Sequence, residues 1–128
     1  MKFFKFTFLS FVLLSVIFLC SSLSIANESS VKIEAKEKVE KGKDVEIKLH
    51  VTHDGNNIFH GTDELWIKIN GEEVKKWEYG VFSGPPSENF TKTITYTANE
   101  NLEVESKAYC NLHGSNNTAQ TTIYVESE

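Results

Sequence analysis

Short runs of alternating apolar and polar residues, separated by turn residues, fill the chain from Val31 onward. Val31–Ala35 alternates, and Val45–Val51 sets Val45, Ile47, Leu49 and Val51 on one face. A period of two is that of a strand with one face buried. Leu65–Ile69 leads into Asn70-Gly71, a strong hairpin signal, and then into Glu73–Tyr79. Gly84-Pro85-Pro86 marks a loop. Thr91–Thr97 is rich in β-branched and aromatic residues, Leu102–Tyr109 alternates again, and Thr121–Val125 closes the chain. No helical period and no internal repeat interrupts the series. About seven strands with regular turns predict an all-β, immunoglobulin-like antiparallel β-sandwich. Trp66, Trp77, Phe82 and Phe90 are expected in its core.

The first residues follow a different pattern. Lys2 and Lys5 precede an apolar run from Phe6 to Leu19, and Ser24 and Ala26 are small residues at the positions a signal peptidase reads. The expectation is a signal peptide over 1–26 and a single domain over 27–128. The run is short for a spanning helix. The protein is then exported, to a periplasm or to the outside, with no membrane partner after cleavage. Beyond residue 26 the chain has eleven Lys, no Arg, and eighteen Asp and Glu, a formal charge of −7. An acidic surface without Arg speaks against nucleic acid and anionic membrane as partners.

One cysteine, Cys110, remains after residue 26. Exported domains commonly use cysteines in pairs, so a lone one is a free thiol or a ligand. It stands in Tyr109-Cys110-Asn111-Leu112-His113-Gly114, where a thiol and an imidazole sit three residues apart on a turn that ends in Gly. A soft sulfur beside a borderline nitrogen suits iron, copper or zinc rather than magnesium or calcium. His53 and His60 bracket the loop Asp54–Phe59 upstream. In a sandwich such loops gather at the ends, so two of them can share an ion. His50 has the parity of Glu46 and Lys48 and is expected on the solvent face.

At these residues the chain resembles the superoxide reductases, the neelaredoxin and desulfoferrodoxin group. The Cys-Asn-Leu-His-Gly string carries most of the likeness. His53, the loop, His60 and then Trp66-Ile67 carry the rest. The resemblance implies an immunoglobulin-like sandwich with one mononuclear iron held by equatorial His nitrogens and an axial Cys sulfur. His53, His60 and His113 would be equatorial ligands and Cys110 axial. The implied substrate is superoxide, reduced by one electron to peroxide, and the implied partner is an electron donor. The family's remaining His lies just before the first strand, where this chain has Asn27-Glu28-Ser29-Ser30. Its loop Glu and Lys are also missing between His53 and His60. An alternative reading is a non-enzymatic metal carrier or a cupredoxin-like electron-transfer module holding copper or zinc. For copper, Thr118 or Gln120 would stand where an axial Met is usual.

Overall fold

The structure is a computed structural model that describes residues 28–57 and 59–127. The expected signal peptide lies outside the described residues. Eight strands are present: β1 (Ser30–Ala35), β2 (Lys38–Glu40), β3 (Lys43–Thr52), β4 (Thr62–Ile69), β5 (Glu72–Glu78), β6 (Phe90–Ala98), β7 (Leu102–Cys110) and β8 (Thr118–Glu126). They form a three-stranded sheet, β1-β3-β6, and a five-stranded sheet, β2-β8-β7-β4-β5. The two inner faces make the β-sandwich that the alternation predicts. Among the described residues no helix is long and apolar enough to cross a membrane.

The core follows directly from parity. β3 gives Val45, Ile47, Leu49 and Val51, β4 gives Leu65, Ile67 and Ile69, β7 gives Leu102, Val104 and Ala108, and β8 gives Ile123. Burial of these side chains is the main favourable term, since each removes apolar area from water. The buried Ser106 does not go unpaired: its hydroxyl donates to the Trp66 carbonyl at 2.7 Å. The hairpin between β4 and β5 turns at Asn70 and Gly71, with φ of 51° and 83°. Both residues are left-handed, the conformation that a two-residue hairpin loop needs and that Asn and Gly tolerate.

Three details depart from expectation. β2 is too short to show a pattern, and it pairs with β8 in parallel, Lys38 with Tyr124 to Glu40 with Glu126. It is held by the Tyr124 N–H donating to the Glu37 carbonyl and by a 2.7 Å Lys38–Glu126 ion pair. Trp66 is not core. Leu65 and Ile67 take the inner face, so Trp66 faces outward, with the Lys68 ammonium 4.9 Å from its ring centroid. Phe82 belongs to no strand and lies in a turn closed by the Gly80–Ser83 bridge; it is fully exposed. Phe90 is buried and Trp77 packs against the core, as expected. His50 does face outward, between Thr91 Oγ1 and Glu34 Oε2, each at 2.8 Å.

The sandwich core predicts an unequal response to truncation. Ile67→Ala should cost about 2–5 kcal/mol by urea unfolding, because a cavity remains between the sheets. Phe82→Ser should change stability by no more than about 0.5 kcal/mol.

Candidate metal centre

The chain passes from one sheet to the other between β3 and β4, over residues 53–61. His53 follows the last residue of β3. Its backbone N–H donates to Asn89 Oδ1 at 3.4 Å, next to the start of β6. Cys110 ends β7 and so belongs to the other sheet. Asn111–His113 then turn sharply, and Gly114 closes the turn through two backbone bonds with Cys110 of 2.7 and 3.1 Å. The crossing segment therefore brings a histidine from one sheet to a cysteine from the other.

The crossing is held against the cysteine turn by one side chain. Asn111 Oδ1 accepts from the Gly61 N–H and its Nδ2 donates to the Phe59 carbonyl, both at 3.1 Å. The Asn111 N–H donates to the Gly61 carbonyl at 3.1 Å as well. These bonds place His60, which lies between Phe59 and Gly61, over the cysteine turn.

Three donor side chains cluster there, and His113 lies beside two of them. One ligand atom from each of His53, His60 and Cys110 lies within 4.8 Å of the others. His113 Nδ1 is 3.1 Å from His60 Nε2 and 3.8 Å from Cys110 Sγ. The rings of His53 and His60, and of His60 and His113, stand edge to face at 4.7 and 4.9 Å. His53 and Cys110 are buried, His60 is half-buried and His113 is exposed, so the cluster sits at the surface with one side toward solvent.

Lone pairs facing one another at these distances repel unless a proton or a cation lies among them. Metal–nitrogen bonds of about 2.0–2.1 Å put two nitrogens on a shared ion roughly 3.0–3.4 Å apart, and a sulfur at about 2.3 Å lies somewhat farther off. The His60–His113 separation of 3.1 Å and the Cys110–His113 separation of 3.8 Å fit that pattern, while the ligand atoms of His53, His60 and Cys110 spread over up to 4.8 Å. The orientation of His53 fits too. Its Nδ1 lies 2.6 Å from the Gly55 carbonyl, which can only accept. The proton therefore sits on Nδ1 and the lone pair on Nε2, the arrangement by which a backbone carbonyl commonly orients a ligating histidine. The Leu112 N–H points at Cys110 Sγ from 3.5 Å, a donor that a metal-bound sulfur can keep. Three nitrogens and a thiol suit iron, zinc or copper.

The stretch ahead of β1 lies beside this turn. Ser29 bridges to Ser115, and its buried hydroxyl pairs with Thr62 Oγ1 at 2.8 Å. This stretch, which holds no histidine, therefore packs against the start of β4 through a serine–threonine pair.

Sequence reasoning named the four donors and gave no role to three residues around them. Asn111 was legible only as part of the cysteine string. Gly55 matters because a Cβ there would lie 2.7 Å from His60 Nδ1, and because its φ is 134°. Asp63 is the extra residue where the β4–β7 register shifts beside Cys110. Such a bulge re-aims a side chain. Asp63 Oδ1 is buried without a hydrogen-bond partner, and burial holds this carboxyl above the usual range.

No protein-family model matches the chain, and no curated protein sequence does. Solved structures do. A variant of the superoxide reductase (neelaredoxin) from Ignicoccus hospitalis matches at 22% identity and a TM-score of 0.57, over 80% of this chain and 83% of that one. A CARDB domain from Pyrococcus furiosus, solved in complex with di-metal ions, matches at 20% and 0.63, over 81% and 97%. A PKD domain of an M14-like peptidase from a Thermoplasmatales archaeon matches at 13% and 0.56, over 78% and 98%. At these identities the likeness establishes the fold.

Two outcomes test this geometry. Gly55→Ala should displace the His60 ring and lower stability by at least about 1 kcal/mol; unchanged imidazole signals in a nuclear magnetic resonance spectrum would contradict it. Asp63 has its pKa raised in the fold, so the folded state binds more protons than the unfolded state just above the usual carboxylate range. Stability should fall as pH rises from about 4 through that window. Asp63→Asn should remove this fall in urea unfolding curves.

Proposed function

We propose that the protein binds one metal ion through His53, His60, His113 and Cys110, that the ion is iron, and that the site performs superoxide-reductase-like chemistry. The observation that carries the reading is the convergence of a buried cysteine sulfur with imidazole nitrogens, one separation being 3.1 Å and another 3.8 Å, at a half-open surface. The ferrous ion would supply one electron to superoxide, giving peroxide once protons are taken up. The chain's own residues do the rest. His53, fixed by Gly55, and His60, fixed by Asn111, form a rigid wall. Cys110 offers a charge-donating sulfur from the end of β7. His113 stands on the solvent side. Likeness in fold to neelaredoxin supports the choice of iron. The signal peptide over 1–26, the domain over 27–128 and export from the cytoplasm belong to the same proposal.

A second reading has its own support. The loops around the cluster, 53–61, 79–89 and 110–117, contain Asp54 and Glu88 but no lysine. Nothing cationic on these loops would draw in a small anion. A metal carrier or an electron-transfer module, with copper or zinc in place of iron, does not need such attraction.

Pulse radiolysis separates the two. The reduced, iron-loaded protein should remove superoxide faster than Cys110→Ala does. Equal decay in both would remove the catalytic claim while leaving the metal site standing. Asn111→Ala is expected to weaken metal binding by roughly 10–100-fold in a competitive chelator titration, since it frees the segment that carries His60.

A further inference from the structure

The two sheets are unequal in width, and the mismatch leaves one flank open. In β4 the inward residues Leu65, Ile67 and Ile69 are buried, whereas in the neighbouring β5 every residue except Trp77 is exposed. β5 therefore extends past the edge of the opposing sheet. β6 ends that sheet on the same side: Phe90, which opens β6, meets Tyr79, just past β5, edge to face at 5.6 Å. The inward residues Lys92, Ile94 and Tyr96 of β6 are only half-buried, unlike Val45, Ile47 and Leu49 of β3. The space beside β6 and over β5 is one strand wide, and Ile94, Tyr96 and Trp77 border it.

The sheets end in four edge strands, and three of them are guarded. β2 has three residues. β1 has six and carries Lys32 and Glu34. β5 carries Glu72, Glu73, Lys75, Lys76 and Glu78, and its register is broken opposite Ile67 and Lys68. Short length, charge and bulges keep an edge from pairing with other chains. β6 has none of these. It runs for nine residues without irregularity, from Phe90 opposite Val51 to Ala98 opposite Lys43, with no Pro and one charge, Lys92. Among the described residues β3 is the only strand that pairs with it, so its other side presents a row of main-chain donors and acceptors.

Such a row fits an extended backbone. The outward residues Thr91, Thr93, Thr95 and Thr97 are exposed and favour β-branched hydroxyl residues opposite them. The inward row and Trp77 favour apolar ones. We propose that the β6 edge accepts an extended segment of a partner protein as an added antiparallel strand, nearly uncharged and alternating hydroxyl with apolar residues. An intact second copy does not fit, because two-fold pairing of two β6 edges brings both overhanging β5 strands into the same space. The site is independent of the metal reading.

The probe is a synthetic peptide with the sequence of β6 itself, Phe-Thr-Lys-Thr-Ile-Thr-Tyr-Thr-Ala. Laid antiparallel with its Ile opposite Ile94, it sets Thr against all four threonines and its Tyr against Lys92. Titrated into the isotope-labelled protein, it should give saturable amide shifts along residues 90–98 and at Trp77, and slow amide exchange at every second residue of β6. A peptide with Pro in place of the Ile should lose binding. The Thr93→Lys/Thr95→Lys protein, altered only at exposed sites, should bind a peptide with Glu in place of its second and third Thr at least about tenfold more tightly than one with Lys there. No saturable shift, shifts centred on β1 or β5, equal binding of the Pro peptide, or no preference for the Glu peptide would overturn the proposal. Concentration-dependent shifts of residues 90–98 without peptide would assign the edge to a second copy and overturn it too.

Discussion

The hydrogen bonds between Asn111 and the segment 59–61 hold the two parts of the site together. His53 leaves the three-stranded sheet and Cys110 ends a strand of the other. Sheets packed on an apolar core keep their separation but do not fix a loop at their rim. Asn111 does so, because it saturates both a donor and an acceptor of the crossing segment while its own backbone takes a third bond. Without that clamp, His60 would sit on an ordinary surface loop.

From this constraint the chemistry follows in order. His60 stands over the cysteine turn, and His113, three residues past Cys110, meets it at 3.1 Å. Gly55 then serves twice, accepting from His53 and leaving room for the His60 ring. The Ser29–Thr62 pair closes the side toward β1. The result is a cluster of His53, His60 and Cys110 with His113 beside it on the solvent side.

Much of this was legible in the chain. Alternation placed seven of the strands and nearly all of the core, because one-face burial writes a period of two into the sequence. Trp66 was misassigned by residue type, since a large aromatic looks buried although the parity of Leu65 and Ile67 puts it on the outer face. Alternation passed over Lys38–Glu40, where three residues are too few to alternate. The donors His53, His60, Cys110 and His113 stood out by residue type and spacing. The roles of Asn111, Gly55 and Asp63 did not, because each arises from contacts between segments far apart in sequence. Asp63 owes its position to a register shift that only strand pairing creates.

The central claim is that four side chains bind one ion, and a cobalt(II) titration of the purified protein followed by absorbance tests it most directly. Binding of one equivalent, with a thiolate charge-transfer band that is missing in Cys110→Ser and weakened in His60→Ala, is the predicted result. No binding, or a spectrum unchanged by those substitutions, would contradict it.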